Sequence, residues 1–259
     1  MKYAIRKLKP EDVDAALAMV LAVFMEFEAP DYSSEGVETF KHDIIENAGF
    51  IERCKASACP LYGAFDGDRI VGVMGMRESK THINLAFVRK EYHHRGIATA
   101  LFRYLLTDRL REDPTLAEIT LNSSPYGKGF YLHIGFVPLS EERLTNGIRY
   151  TPMKYTVKET DIPASCGAVC AACERYPAEC SGCRAIQGKV WWTAYTGQEV
   201  CPFYHCCVAE HGFANCGKCA GFPCGIFRRG DPTKSDAENK EILKKQMLAL
   251  MGEAMDEEE

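Results

Sequence analysis

Apolar side chains in the first 160 positions change their period several times, and each change marks an element. Lys2–Leu8 reads as a short strand. Pro10 then suits a first helical position, with Glu11 and Asp12 complementing the positive helix end. Val13, Leu17, Leu21 and Phe24 follow at intervals of four and three, which gives one apolar helix face. A turn over Ala29–Ser33 leads to a second helix with Val37, Phe40 and Ile44 on one side.

After Pro60 the period shortens towards two. Leu61–Phe65, Arg69–Met76 and Thr81–Val88 read as three strands, the first two joined by a tight turn at Asp66-Gly67-Asp68. Gly96–Leu110 is predicted helical, Ile119–Asn122 a strand, and Ser124–Ile134 a helix with Ser124 as N-cap and Pro125 at the first helical position. Phe136–Leu139 and Ile148–Val157 close the series as strands. The order β-α-α-β-β-β-α-β-α-β-β predicts an α+β domain, a mixed and mostly antiparallel sheet flanked by helices.

Composition divides the chain near residue 160. Eleven of the 13 cysteines lie between Cys166 and Cys224, and only Cys54 and Cys59 lie outside. The expected domains are 1–158, then 162–230 as a cysteine-rich module, then 231–259 as a helix and acidic tail. Ser235 caps that helix, which carries Ile242, Met247, Leu250 and Met251. The net charge of −5 comes from five acids in the last eight residues, so the charge gives no reason to expect a general nucleic-acid-binding surface. No apolar run approaches the length of a membrane span, and no leader pattern opens the chain. A cytoplasmic location follows as the expectation, with the thiols reduced.

Two segments carry chemistry. Leu85–Val88 ends a strand and His93-His94-Arg95-Gly96-Ile97-Ala98 opens a helix. Such a turn aims backbone N–H groups and a helix dipole at one point, which suits a pyrophosphate. The second, from Ser124 to Phe136, places Gly127 and Gly129 where each weakens a helix by roughly 1 kcal/mol against alanine. A ligand or backbone that must approach closely would account for both.

Together these segments resemble the GNAT superfamily of N-acetyltransferases, over roughly residues 1–155. The family's loop, Gln/Arg-x-x-Gly-x-Gly/Ala, is matched by His93-x-x-Gly96-x-Ala98, with His93 departing from the usual residue. Its Tyr-x-x-x-Gly-Phe signature is matched by Tyr131 with Gly135-Phe136, and Ser124 stands where many members carry asparagine. The resemblance implies the GNAT acyl-CoA acyltransferase fold and transfer of an acetyl group from acetyl-CoA to a small-molecule or peptide amine. It implies that Phe87 and Val88 pair with the pantetheine and thioester carbonyl, that His93–Ala98 and Ser124 surround the coenzyme, and that Tyr131 is the general acid. An N–H aimed at the carbonyl oxygen is worth about 3–4 kcal/mol in other enzymes. The usual strand glutamate is missing between Thr81 and Val88, which leaves His82 as the candidate base, with Glu26, Glu28 and Glu78 as weaker ones. The acceptor wall is expected at Phe27–Tyr32 and Glu141–Leu144.

In the second module Cys166, Cys170, Cys173, Cys180, Cys183, Cys201, Cys206, Cys216, Cys219 and Cys224 are the expected metal ligands, with zinc favoured. Cys166-x3-Cys170-x2-Cys173 also fits radical-SAM spacing, but fewer than a hundred residues follow, too few for the barrel that chemistry needs. If helical, these three cysteines share one face. The module resembles a bacterial and archaeal cysteine-rich domain of unknown function thought to bind zinc. Six basic against four acidic residues between Cys166 and Gly230, with Trp191, Trp192 and Tyr195, give a weak nucleic-acid signal. We read those aromatics as core and the module as structural or protein-binding. The competing reading of the chain is a metal or redox sensor on a GNAT scaffold.

Overall fold

The computed structural model describes residues 3–113, 115–158, 161–170 and 173–251. The chain divides into two units, residues 1–106 with 116–157, and residues 107–115 with 158–259.

In the first unit, strand β1 (Ala4–Lys7) runs through a 3-10 turn, Pro10–Asp12, into helix α1 (Val13–Phe27). Arg6 clamps the turn by donating to both carboxylate oxygens of Asp12, at 2.6 and 3.1 Å. The second predicted helix is broken into α2 (Ser34–Phe40), a π turn over Lys41–Ile45, and α3 (Ala48–Lys55). Ser33 caps α2 and Asn47 caps α3, each accepting a backbone N–H from three residues on. Strands β2 (Leu61–Asp66), β3 (Arg69–Met76) and β4 (His82–Val88) follow. Then come α4 (Ile97–Glu112), β5 (Glu118–Ser123), α5 (Lys128–His133), β6 (Val137–Pro138), β7 (Arg143–Thr145) and β8 (Ile148–Thr156). The helix predicted from Ser124 therefore starts four residues later.

The sheet order is β1-β2-β3-β4-β5-β8-β6, with β7 hairpinned onto β8. All pairings are antiparallel except β4 with β5. Helix α1 packs on β3 and β4, burying Leu17, Val20 and Phe24 with Val73, Leu85 and Phe87. α4 covers the opposite face so closely that a Cβ on Gly72 would lie 3.1 Å from both Ile97 and Leu101. β3 is consequently buried on both faces, which explains its unbroken apolar run.

The β7–β8 turn, Asn146-Gly147, has both residues at positive φ, as tight hairpins prefer. It lies against the start of α2, where Gly36 and Gly147 meet backbone to backbone. A Cβ on Gly36 would be 2.2 Å from the Gly147 carbonyl oxygen. Thr39 donates to the Asn146 carbonyl at 3.2 Å beside them.

The second unit is built mainly of turns and short helical pieces, ending in a helix over Asp236–Met251. Ser235 and Glu238 form a reciprocal capping box at its start. Its core gathers Cys207, Cys216, Phe227 and Leu250. Of the three aromatics read as core, two are exposed, Tyr195 at 83 % and Trp191 at 39 % with the Arg175 guanidinium stacked on it at 3.9 Å, and Trp192 is half-buried. Among the described residues Cys166 sits in a turn and Cys170 in a 3-10 piece, so these two cysteines share no α-helical face.

Candidate active site

Strands β4 and β5 pair at two positions, His82 with Thr120 and Ile83 with Leu121, and then diverge. From Asn84 to Val88, β4 bonds only to β3 within the sheet, so one edge of its backbone faces the gap. That gap is part of a cavity of about 780 Å³, inside the range of small-molecule sites. Its walls include β4 from His82 to Val88, the loop at His93, His94 and Gly96, and Ser124, Gly127 and Tyr131 on the far side.

The loop is shaped by two left-handed residues, His94 at φ 57° and Gly96 at φ 76°. A Cβ on Gly96 would meet nothing within 4 Å, so the space over the helix start is open. His93 donates Nε2–H to the Val88 carbonyl at 2.7 Å and rests against Phe27, which braces the loop to β4. Of the predicted coenzyme residues, Phe87, Val88, His93, His94, Gly96, Ile97, Ala98 and Ser124 all line the cavity. Arg95 is turned to Tyr3 and Tyr92 instead, its guanidinium bonded to the Tyr3 hydroxyl at 3.2 Å.

Tyr131 lines the cavity from α5, 7 % exposed, its ring packed on Phe130 and Phe136. Burial and the nearby Glu28 carboxylate push its pKa up. Glu28 ends α1 and also faces the cavity. It accepts from Ser124 Oγ at 3.1 Å and from the Tyr32 hydroxyl, yet desolvation outweighs both bonds and raises its pKa to about 7. Neither of the other acids considered is placed there. Glu26 is paired with Lys90 at 2.7 Å and Glu78 stands beside Arg53 at 4.0 Å.

His82 lines the cavity too, with Nδ1 at 2.9 Å from Thr120 Oγ1. Burial, helped by Arg77, lowers its pKa to about 4. Two residues on, Asn84 has a buried Oδ1 with no hydrogen-bond partner among the described residues, an orphan acceptor. Phe27, Glu28 and Tyr32 line the same cavity. From the hairpin it is Thr145, Asn146, Ile148 and Tyr150, rather than Glu141–Leu144, that line this cavity. The signal for that turn is Asn146-Gly147 in the sequence.

Among the described residues no disulfide joins the cysteines of the second unit, nor Cys54 and Cys59. Cys206, Cys216, Cys219 and Cys224 line one small cavity together. Cys170 and Cys183 are hydrogen bonded, with Cys166 and Cys201 close enough to act on Cys183. Cys173 is exposed and Cys180 partly so.

No curated protein sequence matches this chain. A family model described as an acetyltransferase (GNAT) domain matches residues 28–157. A GCN5-related N-acetyltransferase from Rhodopseudomonas palustris is 22 % identical with a TM-score of 0.51, the match covering 61 % of this chain and 97 % of that one. The PaiA N-acetyltransferase of Thermoplasma acidophilum, solved in complex with coenzyme A, is 21 % identical with a TM-score of 0.47 over 61 % and 100 %. At such identity the first likeness shows the fold, and among the described residues no helix is long and apolar enough to cross a membrane. Because the matched segment spans 130 of 259 residues and holds both the splayed strands and the residues around them, the chain belongs to the GNAT acetyltransferase family.

Proposed function

We propose that the protein transfers an acetyl group from acetyl-CoA to an amine, with Glu28 as general base and Tyr131 as general acid. The observation that carries this reading is that both groups face one cavity beside the free edge of β4. Acetyl-CoA would supply the acetyl group as a thioester and depart as a thiolate. The open space over Gly96 and the edge of β4 that faces the gap, apart from the Val88 carbonyl engaged by His93, fit such a ligand.

An amine acceptor arrives as an ammonium with a pKa near 10, and a base must take its proton before attack. Glu28 at about 7 lies some three units below that, and His82 at about 4 lies some six below. Each unit is about 1.4 kcal/mol, so Glu28 is favoured by about 4 kcal/mol. We therefore assign the base to Glu28 and make His82 an uncharged wall. Asn84 Oδ1 gives the acceptor N–H a place to donate. A neutral Glu28, once protonated, no longer opposes ionisation of Tyr131, so base and acid act in sequence. The acidic and aromatic lining of Glu28, Asp43, Tyr32 and Tyr150 suits a cationic small molecule or peptide amine.

Tyr131→Phe keeps the ring and removes the acid. Turnover measured by thiol release is expected to fall by about 10²–10⁴-fold with little change in acetyl-CoA affinity. Unchanged turnover in a chemistry-limited assay would return Tyr131 to core packing. Tight acetyl-CoA binding with no thiol release across many amines would favour the sensor reading over an enzyme. Gly96→Val places a branched side chain at positive φ in the open space. Calorimetry should show acetyl-CoA affinity reduced on the order of 10-fold or more, equivalent to about 1.4 kcal/mol. Unaltered affinity would remove the loop from the coenzyme site.

For the second unit we infer a zinc-holding module in a reducing compartment such as the cytoplasm. Clustered cysteines without disulfides, in a unit with a small apolar core, support this.

A further inference from the structure

The large cavity of the first unit carries one permanent cation. Arg77 is the one arginine or lysine among the described residues that line it, against two acids, Glu28 and Asp43. Its backbone is pinned at the turn from β3 to β4. There its N–H donates to the His82 carbonyl at 2.9 Å, and its carbonyl accepts from Lys80 N–H at 2.8 Å. Among the described residues the guanidinium makes no ion pair and no hydrogen bond. Glu78, next in the chain, stands beside Arg53 at 4.0 Å, and Asp43 lies 2.9 Å from His42. The charge is nonetheless felt inside the cavity, where it helps to lower the pKa of His82. A guanidinium is a planar fork of five N–H donors, and this one meets no carboxylate of the chain.

Its place along β4 separates it from the coenzyme's phosphates. On the proposed function those phosphates lie over Gly96, past the Val88 end of the strand, whereas Arg77 adjoins the His82 end. From His82 to Val88 the strand rises about 20 Å, at about 3.3 Å per residue, farther than one arginine side chain reaches. The acceptor end is different. Asn84, with its orphan Oδ1, is only two residues along β4 from His82, about 7 Å. Glu28 faces the same cavity. One small molecule can therefore meet Asn84 and Arg77 together.

We propose that Arg77 selects the acceptor by pairing with a carboxylate, so that the substrate is an amino acid or short peptide with a free amine at Glu28 and a carboxylate at Arg77. This rests on the reading of the protein as a transferase with Glu28 as base. Arginine and carboxylate match as two parallel N–H···O bonds, which fixes orientation as well as affinity. A phosphate offers similar oxygens. The carboxylate is favoured because Glu28 and Asp43 face the same space and oppose a dianion more than a single negative charge.

The test follows thiol release from acetyl-CoA by the full chain. The acceptors are L-amino acids and dipeptides, each run beside its own carboxamide, with ethanolamine phosphate as the phosphate-bearing amine. The free acids should exceed their carboxamides in kcat/KM by about 10–100-fold, the worth of a charged hydrogen-bonded pair. Arg77→Gln should bring the acids down to the level of the carboxamides, chiefly through KM. Arg77→Lys should keep part of the preference, because an ammonium cannot form the two-bond fork. By calorimetry acetyl-CoA should bind Arg77→Gln as tightly as the wild type. Equal rates for acids and carboxamides in the wild type, or an acid preference that survives Arg77→Gln, would overturn the inference and leave the transferase standing. Weakened acetyl-CoA binding in Arg77→Gln would overturn it by placing the arginine on the coenzyme. Ethanolamine phosphate outpacing every free acid would overturn the carboxylate as the group selected. No thiol release with any amine would overturn the transferase reading and this inference with it.

Discussion

Replacing Glu28 with glutamine is expected to lower kcat/KM by about 10²–10⁴-fold, the usual contribution of a positioned base. The change keeps size and hydrogen-bonding capacity towards Ser124 and Tyr32 but cannot take a proton. In the native protein kcat/KM should rise with pH through an inflection near 7, as the carboxyl becomes a carboxylate. That limb should vanish in the variant. Stability should move the other way. The folded pKa of about 7 lies above the ordinary value of 4.5, so the folded state holds this proton more tightly than the unfolded one. The resulting stability is complete below pH 4.5 and is lost as pH rises through 7. Glutamine removes the cost of burying the charge, which gives about 1–3 kcal/mol above pH 7 after allowance for partial exposure. Denaturation at pH 8 and at pH 5 measures it. A variant with native activity and an intact pH limb would exclude Glu28 as the base.

The second large effect concerns metal. Stripping zinc with a strong chelator under reducing conditions should open residues 158–251 to protease while acetyl-CoA binding persists. Structural zinc supplies about 10–16 kcal/mol linked to folding, and whole domains are stable by only about 5–15 kcal/mol. The second unit has a core cluster of four buried residues, Cys207, Cys216, Phe227 and Leu250, two of which are themselves cysteines. The first unit has a sheet and an extensive apolar core of its own. Protection of the second unit in a metal-free protein would show that its cysteines serve as core residues.

Strong periodicity made most of the first unit readable. α1 and the strands from Leu61 to Val88 alternate or repeat clearly, because each packs one or two faces against a common core. The elements not foreseen are those with little to bury. α3 buries only Phe50 and Cys54 and carries Glu52, Arg53 and Lys55 outward, so its remaining signal is the Asn47 cap. All three residues of β7 are exposed, and pairing with β8 alone makes them a strand. The loop and Tyr131 were legible as motifs. Glu28 stands in the sequence only as one of three weaker base candidates, because nothing in its spacing sets it above Glu26 or Glu78. What distinguishes it is desolvation, which depends on Ser124 and Tyr131 arriving from a hundred residues away. For the cysteines, spacing yields pairs, but which of them share a cavity is decided by turns the sequence does not order.

The backbone contact between Gly36 and Gly147 joins two stretches of chain more than a hundred residues apart, with no side chain between them to yield. One stretch continues from the acid-bearing end of α1, and the other carries the hairpin residues that line the cavity. A lengthened hairpin would be pushed against α2, and an altered α2 would lift the hairpin. On the proposed function, a change in acceptor size would therefore take paired changes, one on each side of the contact.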